Sequence, residues 1–558
     1  MTAAVVKLLG VQLWETGQTV DAIVPVCPGR LMDDDGAVAG APDGSAVVVD
    51  ARGMVLAPGL HDPHVHFRDP GQLAKETMVT GSAAAAAGGY TTVLIMPNTV
   101  PALDGAAVAP SDTADIEAMH GRWSSLDYLE NYEADNGVQL PVRYALCAAA
   151  STGRDGAQAS KYADWQHGLQ GFGFRHPVIA LSDDGAAVPA DILDEVAANC
   201  LKAGVPFIDH CEHHESGVMT EGETSRRLGL PGIPASTETA IIERDIDLAR
   251  RTGCHVHLQH VSCAASFDLI RAAKAEGLPV TCETAPHYIA LNDTAVERLG
   301  TMAKMNPPLR SEEDRQATLR AIADGTVDMI ATDHAPHTAE EKARGMLKAP
   351  NGIIGLETAY GVCRTVLVEG GWIDDDRLIE LMSVAPARLL GSAEPSVDSL
   401  LAPLADEAGE RGHDAPAGPG SAGADAAVAD GADAADGREP LHARRDLLDL
   451  AAVAHTGVTT SDFLSADDTA TPLDFTLLDP HAEWTVDPEG FHSKARNTPF
   501  AGMELTGRPM ATVIGSRIVF TRIPASRIID GAATTDGSLP DAIAHSVVAH
   551  SRDDGAAA

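Results

Sequence analysis

The chain has 558 residues, long for a single domain but within what an α/β barrel with an added module fills. Its hydrophobic content of 44% is ordinary, while a formal charge of -40 argues against nucleic acid or an anionic membrane as partner. Any anionic ligand must therefore be held by locally placed arginines.

Residues 1–56 hold short strand candidates, 3–13 and 46–50, separated by Gly, Asp and Pro turns, which predicts the first part of a small β module. From 57 to 390 β-branched apolar runs alternate with Ala/Leu/Glu-rich helical stretches. The strand candidates are 60–67, 91–96, 142–148, 178–181, 206–210, 255–260, 280–284 and 328–332. Helical candidates fall at 75–87, 190–203, 237–252, 264–275 and 311–323. Eight strands with intervening helices predict an α/β fold, a (β/α)8 TIM-like barrel.

Residues 391–471 change character. Between 406 and 437 more than half the residues are Ala or Gly, eight are acidic and none is aromatic. Such a segment buries too little apolar surface to offset its ordering entropy, so this insert is expected to be disordered. Strand-like runs return at 475–478 and 512–519, and residues 472–523 are expected to complete the β module as a small sandwich. Residues 524–558 read as a tail, with a short helix candidate at 540–550.

The eight cysteines are scattered without a Cys-x-x-Cys and read as reduced core thiols. No basic segment leads into an apolar stretch with a cleavage site, and no apolar run approaches ~18 residues. The expectation is a soluble cytoplasmic protein.

Chemistry concentrates at the predicted strand ends, where a barrel keeps its catalytic groups. His64 and His66 are one residue apart, so on an extended backbone both imidazoles face one site. The fourth strand ends in Asp183 and Asp184 before Gly185, the fifth in His210, the sixth in His260, and the eighth in Asp333 followed by His334 and His337. Four histidines with two or more carboxylates suit two borderline divalent ions with a bridging carboxylate and an open position for water. Taken singly, each has a bland reading: Asp183-Asp184-Gly185 is also an ordinary turn, and His210 could be a satisfied core histidine.

The run Pro58-Gly59-Leu60-His61-Asp62-Pro63-His64-Val65-His66-Phe67-Arg68 resembles the signature of the cyclic amidohydrolases, and among them the dihydroorotases. Similar to motifs of that family are Gly89-Tyr90-Thr91-Thr92-Val93 with Met96-Pro97-Asn98-Thr99, Lys304-Met305-Asn306-Pro307-Pro308-Leu309-Arg310, and Ala331-Thr332-Asp333-His334-Ala335-Pro336-His337. Gly355-Leu356-Glu357-Thr358 and Ser493-Lys494-Ala495-Arg496-Asn497-Thr498-Pro499-Phe500 belong to the same resemblance. It covers about 46–390 and 472–520.

The resemblance implies two zinc ions per subunit, one held by His64, His66 and Asp333, the other by His210 and His260. Hydantoinases, dihydropyrimidinases and one dihydroorotase type bridge the metals with a lysine on the fourth strand, but no lysine occurs between Lys161 and Lys202. Asp184 fits the type with an aspartate bridge, and Asp183 is its rival because one residue of register decides which faces inward. Arg68, on the strand face of His66, and Asn98 are implied ligands of a substrate carboxylate; His66, Asn306 and His337 are implied around the ring, with Asn351 and Gly352 contributing backbone contacts. Asn351 departs from the pattern, since members with an aspartate bridge commonly carry an aromatic residue there.

The implied reaction is reversible hydrolysis of dihydroorotate to N-carbamoyl-L-aspartate, with Asp333 moving the proton, as the third step of pyrimidine synthesis. A homo-oligomer is expected, with association with an aspartate carbamoyltransferase among the implied partnerships. Two competing readings are a hydantoinase, allantoinase or dihydropyrimidinase, and a catalytically dead subunit that scaffolds a carbamoyltransferase.

Overall fold

A computed structural model describes residues 4–26, 46–213, 217–392, 474–515 and 517–530. The expected disordered insert, apart from its first two residues, and the helix candidate at 540–550 lie outside the described residues.

Eight parallel strands form the barrel: Leu60–Val65, Tyr90–Ile95, Arg143–Ala149, Val178–Ser182, Phe207–Asp209, Val256–Leu258, Val280–Thr284 and Met329–Ile330. Each pairs with the next in sequence. The ring is drawn together by the parallel bridge between Val65 and His334 and by the His66 N–H donating to the His334 carbonyl at 2.9 Å. Below that seam, the Asp62 carboxylate accepts from the Thr332 hydroxyl at 2.6 Å and from the Thr332 backbone N–H at 3.2 Å, linking first strand to last.

The strands are buried on both faces, as parallel strands sheathed in helices must be, which explains their nearly continuous apolar composition. The helices Ala190–Ala203 and Ser236–Thr252 end where Gly204 and Gly253 take up left-handed backbone, both with φ 71°. Glu312–Ala323 starts on Ser311, whose hydroxyl accepts from the Asp314 N–H. Among the described residues no helix is long and apolar enough to cross a membrane.

The β module is one eight-stranded mixed sheet that draws on both ends of the chain: Ala4–Leu13, Thr19–Val26, Ala46–Asp50 and Val55–Pro58 with Phe475–Thr485, Glu504–Ile514, Arg517–Thr521 and Ile528–Asp530. The strand Phe475–Thr485 pairs antiparallel with Val55–Pro58 and joins the two halves. Its alternation divides the cores: Phe475 and Leu477 enter the module's interior, while Leu478 packs with the barrel and the Thr476 hydroxyl donates to the Gly89 carbonyl at 2.6 Å.

Two expectations need correction here. The run at 512–519 is two antiparallel strands, with Ile514 opposite Arg517 and Gly515 at φ 53° in the reversal, because the chain turns where a glycine allows it. The expected tail from 524 begins with structure: Ile528–Asp530 pairs antiparallel with Ala46–Asp50 along the side of that strand that faces away from Ala4–Leu13.

Candidate metal centre

The strand ends bring His64, His66, Asp184, His210, His260 and Asp333 into one buried cluster. His64 Nε2 lies 3.2 Å from Asp184 Oδ1 and 3.5 Å from Asp333 Oδ1. His66 Nε2 lies 3.3 Å from Asp184 Oδ2 and 3.1 Å from Asp333 Oδ1. On the other side His210 Nδ1 is 3.5 Å and His260 Nε2 is 3.9 Å from Asp184 Oδ1, and these two nitrogens are 2.9 Å apart. Asp184 thus stands between two groups of ligand atoms, His64 with His66 and His210 with His260.

The two neighbouring aspartates differ in orientation. Asp183 turns away, accepting from the Ser151 N–H at 2.9 Å and from the Ser151 hydroxyl. Asp184 alone of the pair faces the histidines.

The donor set fits metal ions. His64 Nδ1 donates to Glu283 Oε1 at 2.7 Å, and His66 Nδ1 donates to Asn98 Oδ1 at 2.8 Å. With those protons on Nδ1, both Nε2 lone pairs point at carboxylate oxygens, which is repulsive unless a cation lies among them. Without metal a proton takes that role: burial alone would lower the His64 imidazole, but Asp184, Asp333 and Glu283 outweigh it and hold its pKa well above the ordinary value. At the second group, Asn306 Nδ2 lies 3.1 Å from His210 Nε2; with the amide turned over, its oxygen would accept the Nε2–H and leave the Nδ1 lone pair for an ion. His260 Nδ1 is buried without a hydrogen-bond partner.

Backbone strain marks the same place. Among the described residues only five other than glycine have positive φ, and three are Arg68 (60°), His260 (37°) and Asp333 (47°). Such conformations persist only where the surroundings over-determine them, and they cluster at functional sites.

The predicted substrate residues stand around this cluster. Arg68 is buried, its Nε has no partner, and burial, opposed by Asp333 and Asp184, lowers its pKa to about 10. Asn98 has its carbonyl committed to His66, leaving its Nδ2 for a ligand. His337 Nε2 meets the Asn351 carbonyl at 2.7 Å. Asn351 is exposed, and Gly352 has its N–H on the Lys304 carbonyl at 3.0 Å while its own carbonyl accepts from Lys342 Nζ at 2.7 Å. Both backbone groups of Gly352 are therefore engaged within the protein.

Sequence reasoning missed the residues that hold the histidines of the mouth in place. Glu283, inside the seventh strand, spans His64 and His257, the latter at 3.1 Å, and despite burial the imidazoles bring its carboxyl down to about 2. A glutamate in a buried strand otherwise made of Val, Thr and Cys was the available signal. Glu76 accepts from the Lys494 N–H at 3.0 Å and meets His334 Nε2 at 3.4 Å. Asn497 accepts from the His337 N–H at 3.1 Å and donates to the Ala335 and Gly352 carbonyls at 3.1 and 3.2 Å. The module's chain thereby reaches the barrel mouth.

Known proteins resemble this chain in sequence and in fold. The amidohydrolase family profile matches residues 55–395. A dihydroorotase of Anaeromyxobacter dehalogenans is 38% identical over 86% of this chain and 90% of its own length. A dihydroorotase of Desulfotalea psychrophila is 44% identical over 62% of this chain and 76% of its own length. Among solved structures, an L-hydantoinase from Arthrobacter aurescens covers 93% of this chain with 96% of its own at a TM-score of 0.61 and 21% identity. A dihydropyrimidinase from Brevibacillus agri covers 93% with 95% of its own at 0.62 and 17%. At those identities the likeness shows the fold alone, whereas the sequence relatives are close enough to show kinship. The chain belongs to the amidohydrolase family and, within it, to the dihydroorotases.

Proposed function

We propose that this chain catalyses the dihydroorotase reaction, reversible hydrolysis of (S)-dihydroorotate to N-carbamoyl-L-aspartate, and closes the ring as a step of pyrimidine synthesis. The observation that carries the reading is Arg68, a buried guanidinium with an unpartnered Nε beside the histidine and aspartate cluster. Its planar fork suits a carboxylate, which dihydroorotate has and hydantoin lacks. The chain keeps every expected ligand side chain, which speaks against a dead scaffold.

In this reading His64, His66 and Asp333 would hold one zinc ion and His210 and His260 a second, with the Asp184 carboxylate available to both. Bound there, such ions lower the pKa of a water molecule and polarise the ring carbonyl. Asp333 takes the proton of the attacking water and delivers it to the leaving amide nitrogen. Glu283 and Asn98 fix the rings of His64 and His66 by holding their Nδ1 protons. Arg68 and the Asn98 amide hold the carboxylate, with Asn306 and His337 beside the ring.

Assay of the zinc-loaded protein on dihydroorotate and on hydantoin tests the reading, and preference for hydantoin sinks it. Fewer than two zinc ions per subunit by metal analysis would overturn the binuclear assignment. We propose further that the enzyme is a cytoplasmic homo-oligomer, and sizing it with and without an aspartate carbamoyltransferase tests that partnership.

A further inference from the structure

A second arginine stands beside this site with no role assigned so far. Arg154 follows the third barrel strand, and its backbone is also left-handed, at φ 57°. Its Nη2 donates to the Asp183 carbonyl at 3.0 Å and to the Asp184 carbonyl. That leaves most of the guanidinium unused: its Nε, like that of Arg68, is buried without a hydrogen-bond partner.

The space in front of it is kept open by a glycine. Gly185, at φ 90°, has no side chain, and a Cβ placed on it would lie 3.3 Å from Arg154 Nη2 and 3.8 Å from Asn98 Nδ2. Any side chain there would enter the gap between an arginine and the amide donor that His66 has turned toward it. A half-buried guanidinium with a buried, unpartnered Nε and an amide donor flank a gap lined by a glycine, and with the buried guanidinium of Arg68 they make a receptor for one carboxylate.

We propose that Arg154 is a second ligand of the substrate carboxylate, completing with Arg68 and Asn98 an anion pocket whose room is provided by Gly185. The proposal rests on the dihydroorotase reading and deepens it: the group bound is the carboxylate retained by both dihydroorotate and N-carbamoyl-L-aspartate. Arg154 is one of the charges acting on Arg68. An anion between the two guanidiniums relieves that repulsion.

The test uses full-length zinc-loaded protein, with Arg154→Gln and Arg154→Lys compared with wild type. Loss of a charge-assisted contact in Arg154→Gln is expected to raise KM for dihydroorotate, and Kd for orotate by calorimetry, by roughly 10- to 100-fold, with kcat within about threefold. Bound zinc is unchanged, and Arg154→Lys recovers part of the affinity. If zinc content or kcat falls while KM and orotate affinity hold, Arg154 merely supports the Asp183 and Asp184 carbonyls and the proposal is overturned. Should Arg154→Gln fail to melt cooperatively, Arg154→Lys decides, because it keeps the charge but loses the fork and must still weaken orotate binding. A wild-type protein inactive on dihydroorotate marks failure of the functional reading, whereas an active wild type with unshifted variants marks failure of this proposal alone.

Discussion

The barrel mouth and the β module are built on opposite terms. In the module Val6, Leu8, Leu13, Leu56, Phe475 and Leu477 form an apolar interior by simple alternation. At the mouth, the buried groups are His64, His66, Arg68, Asp184, His210, His260 and Asp333, three of them on left-handed backbone. Burying polar groups and holding strained backbone both cost stability, so a fold keeps them where chemistry needs them. The difference teaches that the mouth is maintained by the surrounding scaffold rather than contributing to it.

The sharpest way to break that comparison is to damage each region and find the same phenotype. His64→Ala removes a group placed to hold an ion, and metal centres supply several kcal/mol of transition-state stabilisation, so kcat/KM is expected to fall by on the order of 1000-fold. The circular dichroism spectrum and the cooperative melt should persist. Phe475→Ala should do the reverse, costing about 3 kcal/mol or more in urea denaturation while kcat/KM per folded molecule is unchanged. Loss of activity in the second variant at full folding, or of folding in the first, would show that the two regions are not separable.

How far the sequence shows this division depends on the range of the interactions. All eight barrel strands and the helices Ala190–Ala203 and Ala264–Ala275 are legible because period and composition are local properties. So is the cluster at the strand ends, since the fold itself gathers those positions. Asp183 against Asp184 is not legible, because a single step of register separates a carboxylate facing the histidines from one bonded to Ser151. Nor is Asn497, whose partners His337 and Gly352 lie far away in the chain and meet it only after the module docks. Gly515 could have been read as a turn, but the apolar residues on either side of it resembled one continuous strand.

Two smaller effects probe the boundary between the regions. Glu283→Gln keeps the shape but removes the charge that orients His64, and loss of such a supporting group should cost roughly 10- to 100-fold in metal affinity or activity. Zinc titration with a chelator measures it, and unchanged affinity would demote Glu283 to packing. Asn497→Ala, on the segment the module extends to the mouth, takes the partner from the His337 N–H and the Ala335 carbonyl and leaves the Gly352 carbonyl to Lys342 alone, so stability should fall by about 1–3 kcal/mol. A rise in KM alongside that loss would show that the module also shapes the site.

The smallest expected effect lies away from the metal cluster, in a histidine that does no chemistry. His176 stacks on Tyr144 with ring centroids 3.6 Å apart and gives its Nδ1 proton to the Tyr144 carbonyl at 3.1 Å. Burial lowers its pKa to about 4, the carbonyl opposing, and Glu133 at 3.9 Å does not reverse the balance. The folded state therefore keeps this ring neutral where the unfolded chain, with a pKa near 6.5, binds a proton. Stability contributed by the neutral ring is present above about 6.5 and is lost as pH falls toward 4, the sign expected when the unfolded state takes up more protons. Between pH 7 and 5.5 that amounts to about 1 kcal/mol for one such group. Urea denaturation of wild type and His176→Gln at both pH values isolates it: the variant is less stable at pH 7, but its loss between the two pH values should be smaller by about 1 kcal/mol. An equal loss in both proteins would mean that His176 titrates normally, and that acid sensitivity belongs to the mouth alone.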